Sequence, residues 1–229
     1  MLSNVRAVAF DLDNTLWDVE PVIARAELRL HAWLRQNCPR IAQRLSIEDM
    51  RAAREQLARQ EPHNAHDFTY LRIAALARHA RECGYEERVA QRAFEVFFAA
   101  RNELELFQDV QPALERLRLR YALATLSNGN ADLARIGLAD LFEVSLNARQ
   151  IGCAKPHPRC FERLAQELQR RIAPDILAAH RVRPRDAPDD VVCERASNDQ
   201  RVAAEGAECT LEQFCVRVAQ RSSGASVSP

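Results

Sequence analysis

The sequence predicts an α/β protein: a Rossmann-like parallel-sheet core with an inserted all-helical cap. Three observations carry this reading. A short, nearly unbroken apolar run from Val5 to Phe10 suits a strand buried on both faces of a parallel sheet. The next stretch, 18–106, shows helical periodicity and no strand signal. Helix and strand patterns then alternate, as in a sheet with crossover helices. The core is expected over 1–17 and 107–220, the cap over 18–106 and a disordered tail over 221–229.

The elements follow in order. Asp11 and Asp13 close the first strand in a D-x-D-x-T arrangement, with Thr15 and Leu16 behind them. In open α/β sheets reactive groups stand just beyond the carboxyl ends of strands, where these carboxylates fall. Helices are predicted over 22–34, 47–60, 67–82 and 86–103, where Ala, Arg, Glu and Leu dominate and apolar residues recur every three or four positions. Pro21 suits a first helical turn and Gly84 a helix stop. Residues 61–64, Glu-Pro-His-Asn, read as a loop. Beyond the insert, 112–120 reads as a helix and 121–126 as a buried strand running into Ser127-Asn128-Gly129-Asn130. Residues 131–136 read as a helix stopped by Gly137, and 142–146 as a short strand. A connecting loop over 148–154, a helix over 158–168 and a short strand over 176–179 complete this series. From His180 to Asp190 the chain is crowded with Arg, Pro and Asp and has no periodicity, while 211–218 suits one more helix.

Composition narrows the function. The 229 residues suffice for a good-sized core plus a smaller insert. Net charge is zero with 28% charged residues, so nucleic acid is not an expected partner. A mean hydropathy of −0.34 argues against a membrane span, as does the lack of any apolar run near about 18 residues. The first strand begins almost at once, leaving no room for a signal peptide. Seven cysteines, none spaced C-x-x-C, suit a reduced, cytoplasmic protein without a cysteine zinc site.

Two carboxylates two residues apart can converge where the chain turns at a strand end. They can share a hard cation such as Mg2+, which takes oxygen ligands. One can then act as a covalent nucleophile, the other as general acid towards a leaving oxygen and base towards water. An ordinary Asp-rich turn accounts for the same residues without chemistry. Ser127, with the flexible Asn128-Gly129 behind it, offers a hydroxyl and backbone amides to one phosphoryl oxygen, and equally suits a turn or helix cap. Lys155 stands out in a chain whose positive charge is nearly all arginine, and Pro156 fixes its loop ahead of a helix. An ammonium there would neutralise a nucleophile and a transferring phosphoryl group. Asp18 and Glu20 either line the entrance to the insert or start its first helix. His63 and His66 lack a third ligand for a metal and read as solvent-exposed. Trp17 and Tyr70 suit packing between insert and core, or stacking on a flat ring.

Together, Asp11-x-Asp13-x-Thr15, Ser127 after a second strand and Lys155-Pro156 before a helix resemble the haloacid-dehalogenase-like (HAD) superfamily. The insert resembles its C1-type helical cap. Asp13 points to the phosphatase branch, because the dehalogenases lack that second, proton-transferring acid. The stretches FDLDNTLWDVEPVI, EPHNAHDFTYLR and LSNGNADLARIGLADLFE are similar to bacterial HAD phosphatases of riboflavin metabolism. Those enzymes act on 5-amino-6-(5-phospho-D-ribitylamino)uracil and on FMN. The resemblance implies a Mg2+-dependent hydrolase of a small phosphorylated metabolite. It makes Asp11 nucleophile and metal ligand, and Asp13 acid/base with its backbone carbonyl on the metal. Ser127 and Asn128 would bind phosphate, and Lys155 would pair with Asp11 and the phosphoryl group. Two rival readings use the same residues: a scaffold that binds a phosphorylated ligand without turnover, and a mutase that passes phosphate to another acceptor.

The chain departs from the family beyond 179. Gly-Asp is expected after the next strand, with a second Asp completing the metal site, yet His180-Arg181 stand there. Asp186 is the one acid that serves in both placements of the motif, ahead of Asp189 and Asp190. A degenerate or frame-shifted carboxyl terminus would read this way.

Overall fold

In the computed structural model, which describes residues 5–179, β1 (Ala7–Phe10) is followed by an insert of five α-helices. These are α1 (Val19–Asn37), α2 (Pro39–Arg44), α3 (Ile47–Gln60), α4 (Phe68–Glu82) and α5 (Val89–Arg101). Their starts are set by local chemistry. Asp18 caps α1 by accepting from the Glu20 amide, Ser46 and Asp49 form a capping box on α3, and Asp67 caps α4. Leu30, Leu34, Leu76, Ala80, Phe94 and Phe97 turn inward to make a core separate from the one around the sheet. The four helices expected in the insert are all present, α3 with the expected bounds and the others with shifted ends. The six-residue α2 is an addition, too short for periodicity to reveal, although Pro39 marks its first turn. Residues 62–64 make a single 3₁₀ turn within the expected loop.

The chain then returns through α6 (Val110–Arg118), β2 (Ala122–Ser127), α7 (Leu133–Ile136), β3 (Val144–Asn147), α8 (Ala148–Ile151) and α9 (Pro158–Ala179). The described strands lie in the order β1-β2-β3, all parallel, with Phe10 opposite Thr125 and Ser127 opposite Asn147. Ala7, Ala9, Ala124, Leu126 and Val144 pack under Cys160, Leu164 and Leu168 of α9. Val8, Phe10 and Leu123 pack on the other face against Val110, Leu114 and Leu133. Both faces of the sheet are covered, which is why β1 reads as a continuous apolar run.

Two expectations are corrected. Residues 148–154 are not wholly loop: α8 forms there, held by a capping box in which Asn147 and Gln150 exchange side-chain-to-backbone bonds of 2.9 and 3.0 Å. Residues 176–179 are not a strand but the end of α9. A four-residue apolar run fits either state, and periodicity cannot separate them. Asp186, Asp189, Asp190, the helix over 211–218 and the tail over 221–229 lie outside the described residues. Among the described residues no helix is long and apolar enough to cross a membrane.

Candidate active site

The turn after β1 is built around Asn14, whose φ of 61° reverses the chain directly behind the two aspartates. Asn tolerates this left-handed conformation better than most residues. Its amide donates to the Trp17 carbonyl at 2.8 Å, and its Oδ1 accepts from the Val19 amide at 2.9 Å. Thr15, Leu16 and Trp17 are buried beneath, so the turn is packed on both sides.

The second segment comes from the end of β2. Ser127 is the last residue of that strand, and its buried Oγ accepts from the Gly129 amide at 2.9 Å. Asn128 ties this segment to the third: its Oδ1 accepts from the Lys155 amide at 2.7 Å, and its Nδ2 donates to the Lys155 carbonyl at 3.2 Å. The Asn128 side chain is thus spent on the Lys155 backbone. Lys155 is the only lysine in the sequence. Held in this way, its Nζ reaches Asp11 Oδ1 at 2.8 Å.

Asp13 is gripped differently. Its Oδ1 accepts from Trp17 Nε1 at 2.8 Å and from Arg101 Nη2 at 2.5 Å. Its Oδ2 lies against Gly129, where a Cβ would come within 2.2 Å of it and 3.3 Å of Ser127 Oγ. The structure thus brings Asp11, Asp13, Ser127, Asn128 and Lys155 together at the ends of β1 and β2. Asp11 and the Asp13 carbonyl are oxygen donors of the kind that Mg2+ takes.

The other candidates fall elsewhere. Asp18 is the cap of α1, Glu20 is exposed, and His63 is exposed beside Asn64. His66 is half-buried rather than exposed. Tyr70 is exposed and donates to Glu61 at 2.8 Å, within the cap, while Trp17 combines full burial with its bond to Asp13. Cys160 flanks the lysine loop, but burial and a hydrogen bond with Cys153, 3.5 Å away, push its thiol up to about 11, so it stays neutral and unreactive.

Sequence reasoning named Gly129 for its flexibility alone and missed Arg101, the close approach of Asp13 to Gly129 and the cap-to-core contacts. Asn130 Nδ2 donates to Thr69 Oγ1 at 3.1 Å, Asn102 Oδ1 accepts from the Asp132 amide at 2.8 Å, and Arg149 pairs with Asp67 at 3.3 Å. These set the start of α4, with exposed Phe68 and Tyr70, beside the Ser127–Asn130 loop. Arg101 did leave a signal, since it occupies the apolar stripe of α5 that holds Ala93, Phe94 and Phe97.

Comparison with known proteins fits this geometry. A family model described as haloacid dehalogenase-like hydrolase matches residues 5–179. The chain is 29% identical over 171 residues to the 5-amino-6-(5-phospho-D-ribitylamino)uracil phosphatase YigB of Escherichia coli (strain K12), covering 73% of this chain and 71% of that one. Among solved structures it is similar to a 2-haloacid dehalogenase from Pseudomonas syringae pv. Tomato DC3000, at a TM-score of 0.68 and 35% identity over 73% of each chain.

Proposed function

The chain belongs to the haloacid dehalogenase-like hydrolases, and from that premise we propose that it is a phosphatase acting on a small phosphorylated metabolite through an aspartyl-phosphate. The observation that carries this reading is the 2.8 Å ion pair between Lys155 and Asp11, set beside the Asp13 carboxylate at the Ser127–Gly129 loop. Asp11 attacks phosphorus in line with the leaving oxygen, and Asp13 gives that oxygen its proton. Lys155 and the amides behind Ser127 offset charge on the equatorial oxygens. Asp13, now ionised, takes a proton from the water whose oxygen displaces Asp11 from phosphorus. Asp11 and the Asp13 carbonyl, with Asp186 by resemblance, would hold Mg2+, which would supply Lewis-acid stabilisation of the same charge.

A ribityl or flavin phosphate is the sharpest substrate. The YigB relative supports it, and so do Phe68 and Tyr70, whose exposed rings offer flat faces near the loop. The four cysteines of the described residues are free, which supports a reduced, cytoplasmic setting. A second reading, dehalogenation, has the structural relative in its favour. Asp13 opposes it, because a halide leaves without a proton and needs no acid beside it, whereas an alkoxide does.

The test sets phosphate release from p-nitrophenyl phosphate, FMN and 5-amino-6-(5-phospho-D-ribitylamino)uracil, with Mg2+, beside halide release from 2-chloropropionate. Phosphate release that disappears in Asp11→Asn is expected. Halide release without phosphate release would overturn the proposal, and isomerised sugar phosphate without free phosphate would point to a mutase.

A further inference from the structure

Arg101 is the last residue of α5 and is 1% exposed. Among the described residues its Nε and Nη1 are buried without a hydrogen-bond partner, and its Nη2 meets Asp13 Oδ1 at 2.5 Å. A buried guanidinium with two orphaned donors costs stability that an apolar residue on the same stripe would not. Packing does not account for it: among the described residues its guanidinium stands 5.9 Å from the centre of the Trp17 ring, and its one hydrogen bond is to Asp13. Trp17 Nε1 donates to the same oxygen at 2.8 Å, so Oδ1 takes two donors. The other oxygen faces the opposite way, onto the gap that Gly129 leaves by having no Cβ, next to Ser127 Oγ.

We propose that Arg101 is a positioning residue for proton transfer: with Trp17 it holds Asp13 Oδ1, so that Oδ2 alone carries the proton. This rests on the phosphatase reading above. In the first half-reaction the bond from phosphorus to the leaving oxygen breaks as the bond to Asp11 forms, and the proton on Oδ2 passes to the leaving oxygen. In the second, Oδ2 takes a proton from water as the water oxygen bonds to phosphorus and the bond to Asp11 breaks. Phosphate departs and Asp13 is protonated again, so each turnover closes on itself.

The role is read from how the rate depends on the leaving group, which a merely structural arginine would not alter. An alkyl phosphate needs its departing oxygen protonated, whereas p-nitrophenolate leaves nearly unaided. The comparison uses kcat/KM, which reports the first half-reaction. Arg101→Met should lose about 100-fold on glycerol phosphate and at least tenfold less than that on p-nitrophenyl phosphate. Trp17→Phe, which removes the other donor and keeps a ring, should show the same selectivity at smaller size and serves should Arg101→Met not fold. Equal losses on both esters, or none on either, would overturn the inference alone. FMN, itself an alkyl phosphate, takes the place of glycerol phosphate should that ester not be turned over, and a wild-type protein that releases phosphate from none of the three overturns the phosphatase reading and this inference with it.

Discussion

Gly129 is fixed by what stands opposite it. A methyl group there would meet Asp13 Oδ2 at 2.2 Å, closer than any unstrained contact, and the short carboxylate would have to swing away. Gly129→Ala should therefore lower kcat by about 100-fold, the cost of a misplacement near 1 Å, while thermal unfolding stays close to that of the wild type. Lys155 is held as tightly, through both backbone groups on Asn128. Lys155→Met should reduce kcat/KM by about 10²–10³-fold. Lys155→Arg should not restore it, because a planar fork cannot take the place of a compact ammonium on Asp11. Steady-state kinetics of the two variants checks both statements. At this scale the sequence is legible where chemistry concentrates in a short run: Asp11, Asp13, Ser127 and Lys155 declare themselves by type and by position behind strands. Gly129 and Arg101 do not, because their meaning lies in what meets them from 116 and 88 positions away along the chain.

The elements were legible in proportion to their length and to the marks at their ends. Helices α3 and α4 stand where periodicity puts them, because Ser46 and Asp67 begin them with side-chain caps. Residues 176–179 belong to α9 and not to a strand; apolar residues in so short a run satisfy strand and helix alike. Periodicity was also silent about Glu27, which lies between the inward residues Ala26 and Leu30 and is itself 4% exposed. It accepts from Arg51 and Arg54 of α3 at 2.6 and 2.8 Å, and Arg72 of α4 stands 3.6 Å away over the Phe97 ring. One carboxylate thus joins three helices, and its arginines cannot be left without it. Glu27→Gln should cost about 3 kcal/mol, the lower end for breaking a buried ion pair since Arg51 is partly exposed. Urea denaturation of the two proteins measures this directly.

At the scale of the whole molecule, the helical block and the sheet have separate apolar cores, so buried ionisable groups in the helical block set how it answers to acid. Burial alone would raise the Glu27 carboxyl, but the bond from Arg51 and the charges of Arg54 and Arg72 outweigh it and hold it below the ordinary range. Its contribution is therefore present above the unfolded carboxylate value and is lost as pH falls through the folded one. His79 sits in the same block with neither ring nitrogen partnered among the described residues, and burial, helped by the charges of Arg78 and Arg44 and opposed by Glu82, pulls its pKa down. An unfolded histidine takes up a proton near pH about 6.5, before the folded one does, so stability declines as pH falls below that value. Each tenfold difference in proton affinity between the two states is worth about 1.4 kcal/mol. The two groups thus act in separate windows, His79 in mild acid and Glu27 below the ordinary carboxylate range. Urea midpoints for the wild type should fall between about pH 7.5 and about pH 5.5, and His79→Leu should flatten that limb while leaving the steeper loss at lower pH. Glu27→Gln should do the reverse, starting from a lower midpoint and losing little more in strong acid. A His79→Leu protein whose midpoint drops through mild acid as steeply as the wild type would place the titrating group elsewhere.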